Sequence, residues 1–178
     1  LPSFLKNFLC FLIAIFIYLP FINLSKLFPN NKNIILVLCG SSEMDIHKII
    51  KNEYYEYSNR IIIIEHTDKP EKIFQVADIL CIPSEREGFG NVVIEASSCQ
   101  VPVIGSDISG LDDSLIHNMN GLRYKLFDKQ NFIKNISKLL DDNDLRILLG
   151  NNGRKFVLEN FNEKKVLNDF SKMIELNL

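Results

Sequence analysis

The sequence predicts an α/β fold with a Rossmann-like parallel sheet, and three observations carry that expectation. Short, uninterrupted apolar runs recur along the chain, each closed by glycine, proline or a polar residue. Such runs fit strands covered on both faces, as parallel strands are. Segments with helical spacing of apolar residues lie between them, the alternation that builds βα units with right-handed crossovers. One run, Ala77–Ser84, opens through Gly88-Phe89-Gly90 into a new helical segment.

The elements follow in chain order. Phe8 to Ile22 is a run of fifteen apolar residues that includes Pro20 and follows the single Lys6. It falls short of the ~18 residues expected of a membrane span. Three readings fit it: a membrane-attached helix, a buried apolar segment, or a coding remnant left by truncation or a frameshift upstream. The last is favoured, which sets residues 1–22 apart from a folded domain at 23–178. Asn33–Gly40 is the first expected strand. Ile61–Ile64, Ile79–Ile82 and Val101–Gly105 repeat its pattern. After Gly121 the chain is expected to be helical. Phe132, Ile133, Ile136, Leu139 and Leu140 form one stripe; Leu145, Leu148, Leu149, Phe156 and Val157 form a second. A third comprises Val166, Leu167, Phe170, Met173 and Ile174.

The chemistry concentrates at residues 85–96, Glu-Arg-Glu-Gly-Phe-Gly-Asn-Val-Val-Ile-Glu-Ala. Glu87 falls on the turn and Glu95 within the first helical turns. A helix N-terminus offers unpaired amides and partial positive charge to a phosphate. Gly88 and Gly90 allow close approach of the backbone, having no Cβ. Carboxylates accept hydrogen bonds from neighbouring hydroxyls. The pattern therefore suits a phosphorylated, hydroxyl-rich ligand. Glu95 can also be read as a solvated helix residue, but Val92, Val93, Ile94 and Ala96 surround it, and an unpaired charge among apolar groups is costly. Glu87 can be read as an ordinary loop acid. Arg86 is assigned no role, and His66 is expected to be a surface histidine beyond the strand at 61–64.

This segment resembles the Glu-x7-Glu signature of retaining GT-B glycosyltransferases of the family 4 type. Val101–Asp107, Gly110, Asp113, Asn120-Gly121-Leu122, Leu149–Lys155 and Phe161 match the family's order and spacing. The resemblance covers roughly residues 21–178 and implies a single C-terminal, donor-binding lobe. It implies that Glu95 holds the ribose of a nucleoside diphosphate sugar and that Glu87, the catalytic candidate, contacts the donor sugar. The amides of Gly88, Phe89, Gly90 and Asn91 would face the sugar and diphosphate. The implied reaction is transfer of the sugar, with retention, to a glycan or lipid-linked acceptor. In complete family members the final helix crosses onto an N-terminal acceptor-binding domain, which is expected to be missing here or supplied by a separate chain. The family's Arg and Lys-Gly, which neutralise the diphosphate, have no match at the expected spacing. A catalytically silent nucleotide-sugar-binding remnant is therefore the alternative reading; a sugar-nucleotide epimerase of the same architecture is a weaker third.

Composition narrows the field. A length of 178 residues suits one domain. A formal charge of −2, with scattered lysines and arginines, provides no basic field for nucleic acid. Cys10, Cys39, Cys81 and Cys99 have neither zinc nor redox spacing and read as reduced thiols. No metal or other cofactor is expected. The expected compartment is the cytoplasm, with peripheral contact at the membrane's cytoplasmic face open to the apolar N-terminus.

Overall fold

The computed structural model describes residues 9–14, 34–40 and 45–175. Six parallel strands form one sheet: β1 (Leu9–Ala14), β2 (Ile34–Cys39), β3 (Ile61–Ile64), β4 (Ile79–Ile82), β5 (Val103–Ser106) and β6 (Gly121–Tyr124). Their spatial order is β3-β2-β1-β4-β5-β6. The helices are α1 (Ile46–Glu53), α2 (Pro70–Phe74), α3 (Asn91–Ser98), α4 (Lys129–Asp141), α5 (Asn143–Asn160) and α6 (Glu163–Glu175), with short 3₁₀ turns at Tyr55–Arg60 and Ser109–Leu111.

Successive side chains of a strand point to opposite faces, so an apolar run fills two cores at once. In β2, Ile34, Leu36 and Leu38 join one core with Ile46, Ile50, Phe132, Ile136 and Leu139 from the helices on that side. Ile35 and Val37 join the other, with Ile73, Phe74, Val93 and Ala96. β4 divides likewise, Ile79 and Cys81 to the first and Leu80 and Ile82 to the second. The sheet is thus the middle of three layers. Cys81 lies in the core, and Cys39, Cys81 and Cys99 are free thiols, small apolar packing groups.

The expected strands at 33–40, 61–64 and 79–82 form; that at 101–105 forms two residues later, with Val101-Pro102 as its lead-in. Three expectations need correction. The first concerns the N-terminus: residues 9–14 are neither an anchor nor a remnant outside the fold. β1 is a central strand, paired with β2 from Leu9↔Ile34 to Ala14↔Cys39 and with β4 from Phe11↔Ile79 to Ile13↔Cys81. The boundary between residues 22 and 23 thus fails on its N-terminal side; residues 15–33 lie outside the described residues. Physically, a central strand with both neighbours paired demands the same apolar continuity that suggested an anchor.

The second is β6, which forms where helix was expected. It is an edge strand of four residues, with Leu122 and Tyr124 in the first core and Arg123 interrupting the apolar pattern. Gly121 lets it approach β5: a Cβ there would stand 2.0 Å from the Val103 carbonyl oxygen.

The third concerns α5, whose Leu148 is exposed while Leu149 and Val157 are buried. Its small residues decide the docking face. A Cβ on Gly150 would meet the Gln100 carbonyl, and Gly153 packs against Ser97 and Asn120. The stripe on α4 packs as expected, Phe132, Ile136 and Leu139 buried and Ile133 and Leu140 partly so. On α6, Val166, Leu167 and Ile174 are exposed; the side chains of Phe170 and Met173 lie outside those described.

Candidate functional site

The sheet's connectivity places the site. From β1 the chain proceeds outward through β2 to β3, then returns to lay β4 on the opposite side of β1 and proceeds to β5 and β6. The strand order therefore reverses between β1 and β4, and open parallel sheets bind ligands outside the carboxyl ends of strands at such a point. The segment leaving β4 is Pro83–Gly90, which carries Glu87 and leads into α3.

Local contacts fix this loop at both ends. At its start, buried Ser84 offers its carbonyl to the buried Ser106 hydroxyl at the end of β5. At its end, Gly90 is the N-cap of α3 with φ +72° and ψ 50°. This left-handed conformation suits glycine. Space imposes the same choice: a Cβ on Gly90 would lie 2.5 Å from Leu111 Cδ2 and 2.9 Å from Ser114 Oγ. Gly88, by contrast, has no heavy atom within 4 Å of its Cβ position and faces open space. The loop is closed on its inner side and open on its outer side.

Four other helices carry side-chain caps: Asp45 accepts from the Lys48 amide, Asp128 from Asn131, Asp142 from Leu145 and Asn162 from Lys165, at 2.9–3.0 Å, while the short α2 has none. At α3 the cap is glycine and no side chain fills that role. A helix N-terminus without a side-chain cap keeps amide donors for a ligand. The adjoining Phe89 is partly exposed and stacks edge-on against Phe161, ring centroids 5.6 Å apart; Phe161 meets Phe156 at 5.5 Å in turn. The loop after β4 thus touches the junction of α5 and α6, a contact that the sequence motif alone does not reveal.

Glu95 lies one helical turn beyond Asn91. Among the described residues its carboxylate has no hydrogen-bond or ion-pair partner, while its flanking Val93 and Ala96 anchor α3 in the core. Desolvation raises its pKa above the ordinary glutamate value, and the Glu71 carboxylate of α2 adds to the rise. Glu87 is half-buried, and Asn91 and Glu95 are exposed, so the rise at Glu95 reflects partial desolvation at the surface. The structure thus brings Glu87, Gly88, Phe89, Gly90, Asn91 and Glu95 together along one loop and helix start. His66 sits on the surface, hydrogen-bonded to Asp68 at 2.8 Å, and Glu65 lies 4.0 Å from His47.

A cleft of about 420 Å³ lies elsewhere, beside β6, lined by Asp107, Leu115, Ile116, His117, Arg123, Tyr124 and Lys125. It shares no residue with 84–91. The loop after β4 remains the better candidate, because it holds the uncapped helix and the two acids at the switch point, on an open face rather than in an enclosed cavity. Among the described residues, no group of three or more His, Cys, Asp or Glu side chains is arranged to hold a metal ion. No helix among them is long and apolar enough to cross a membrane.

Parallel sheet, switch point and glycine turn together match the architecture of the C-terminal domain of GT-B glycosyltransferases. The model of the family described as glycosyl transferases group 1 matches residues 6–156, and the chain belongs to that family. The match begins upstream of β1, in agreement with that strand's place in the sheet. The capsular polysaccharide biosynthesis glycosyltransferase CapM of Staphylococcus aureus is 30% identical over 120 residues, covering 66% of this chain and 31% of CapM. The structure of Anabaena Alr3699/HepE in complex with UDP superposes with a TM-score of 0.78 at 15% identity, covering 96% of this chain and 50% of that one. The C-terminal domain of a glycosyl transferase group 1 family protein, LpcC from Francisella tularensis, gives 0.71 at 18% identity, covering 87% of each chain. The chain thus spans about a third of the curated relative CapM.

Proposed function

We propose that this chain is the donor-binding lobe of a retaining glycosyltransferase of the family 4 type. Its donor is a nucleoside diphosphate sugar, and the acceptor is a hydroxyl of a glycan or a lipid-linked glycan. The observation that carries the reading is the pair Glu87 and Glu95 flanking a helix start that has no side-chain cap, at the switch point of the sheet. Supporting it, HepE has been solved in complex with UDP, and CapM is a glycosyltransferase of capsular polysaccharide biosynthesis.

In this reading Glu95 accepts hydrogen bonds from the ribose hydroxyls, and Glu87 accepts them from the donor sugar. The amides of Gly88, Phe89, Gly90 and Asn91 meet the diphosphate. During transfer the bond from the anomeric carbon to the phosphate oxygen breaks as one forms to the acceptor hydroxyl oxygen, whose proton leaves with the nucleoside diphosphate, and charge grows on the departing diphosphate. The amides at the start of α3 offset that charge without reorganising. The acceptor is held by a second lobe, in the same polypeptide or in a separate chain, and the reaction takes place on the cytoplasmic side, with any membrane contact peripheral.

Calorimetric titration of the chain with UDP, GDP and ADP tests the assignment. One of them should bind, and Glu95→Ala should weaken that binding by ~1.5–3 kcal/mol, the range for hydrogen bonds to a charged group. Equal affinity of wild type and variant for every nucleotide would remove Glu95 from the site.

A further inference from the structure

Arg123 lies on the edge strand β6, outside the Glu-x7-Glu loop, and the donor contacts proposed above do not include it. Its side chain is only 16% exposed. Nη2 donates to the Ile108 carbonyl at 3.0 Å and lies 2.8 Å from Asp107 Oδ1 and 2.7 Å from Asp112 Oδ1. These acceptors span both ends of the segment 107–112, so one guanidinium clips that segment closed. The backbone beneath the side chain is held as well, since the Arg123 amide donates to His117 Nδ1 at 2.9 Å.

The clipped segment is the floor of the donor loop. A Cβ on Gly110 would stand 1.9 Å from the Glu87 carbonyl oxygen and 2.6 Å from its carbon, so the two backbones lie in direct contact. The next residue, Leu111, is fully buried and packs against Gly90, as does Ser114. The floor therefore supports the loop at the acid and at the helix cap. We infer that Arg123 is a positioning residue for the donor site: by holding Asp107 and Asp112 together it keeps the floor closed and fixes the spacing between Glu87 and the amides at Gly90. This rests on the donor-lobe reading. Without the guanidinium, two carboxylates are left without their shared cation and the floor loses its tie. The effect falls on the diphosphate and sugar. Glu95 is spared, because Val93 and Ala96 anchor its helix in the core.

Two measurements on Arg123→Met and Arg123→Lys test this. The first is amide hydrogen exchange in the free protein. The second is calorimetric titration with uridine, UDP and UDP-glucose, and in parallel with guanosine, GDP and GDP-mannose. In Arg123→Met, exchange at residues 87–91 should quicken while residues 94–98 stay protected. Affinity for the favoured nucleotide-sugar should fall about tenfold, the scale of one charge-assisted hydrogen bond, with nucleoside affinity unchanged. Arg123→Lys should restore part of both; should the methionine variant fail to fold, the lysine variant carries the same comparison against wild type. Wild-type exchange and wild-type nucleotide-sugar affinity in the variants would overturn the inference. So would equal losses for nucleoside and nucleotide-sugar with exchange faster throughout the sheet, which would mark a purely structural residue. Faster exchange at 87–91 in a chain whose wild type binds no nucleotide would confirm the mechanical tie but refute the donor reading, and with it the role proposed for Arg123.

Discussion

In the proposed donor site, Glu95 is the single side chain that would couple fold and ligand. Partial burial and the neighbouring Glu71 carboxylate both raise its pKa, so the fold favours the protonated form more than water does. Its contribution to fold stability is therefore complete in acid and declines as pH rises through the raised pKa. Binding in the proposed site would run the other way, because an ionised carboxylate accepts ribose hydroxyls best. Nucleotide affinity should hold at neutral pH and fall on acidification, with a midpoint above the usual glutamate value. Glu71→Gln should move that midpoint down. Calorimetry across a pH series checks both, and a midpoint unmoved by Glu71→Gln would show that the two acids are not coupled. Glu87, Gly90 and Glu95 were all legible in the sequence because they sit within one local motif. Glu71 and Arg123 were not, and Gly110 was legible only as a match to the family's spacing, since their effects act across space from other elements.

At the scale of elements, the contact between the 109–111 turn and the loop after β4 is tight enough to test with one methyl group. Gly110→Ala places a Cβ against the Glu87 backbone. Backbone cannot yield as a flexible side chain does, so the variant should lose ~1–3 kcal/mol, the range for overpacking. Denaturant unfolding gives the number; wild-type stability would mean that the two segments lie farther apart than described. The strands divide by the same physics. β2, β3 and β4 were readable because strands covered on both faces are apolar at every position. β1 was hidden by its own surroundings: a six-residue strand lay within fifteen apolar residues, a length between that of a strand and a membrane span. β6 was hidden for the opposite reason. Four residues with an arginine among them carry too little pattern, and only pairing with β5 identifies them as a strand.

The whole molecule depends on β1, which joins its two halves. Removing residues 1–22 would separate β2-β3 from β4-β5-β6, since β1 alone pairs with both β2 and β4. A chain of residues 23–178, the domain that the sequence alone delimited, should therefore show no cooperative thermal transition by circular dichroism, whereas the full chain should. An equal, sharp melt would take β1 out of the sheet. α6 exposes Val166, Leu167 and Ile174, and the chain spans about a third of CapM.

The central claim is that the ligand sits on the loop after β4 and the start of α3. Amide chemical-shift mapping of the 178-residue chain titrated with the nucleoside diphosphate that calorimetry selects, and then with its sugar conjugate, tests this most directly. Gly88, Phe89, Gly90 and Asn91 should shift first and furthest, with Val92–Ala96 following, and the sugar conjugate should add a shift at Glu87. Shifts confined to Ile116, His117 and Lys125, in the cleft beside β6, would contradict the account and place the ligand elsewhere on the lobe.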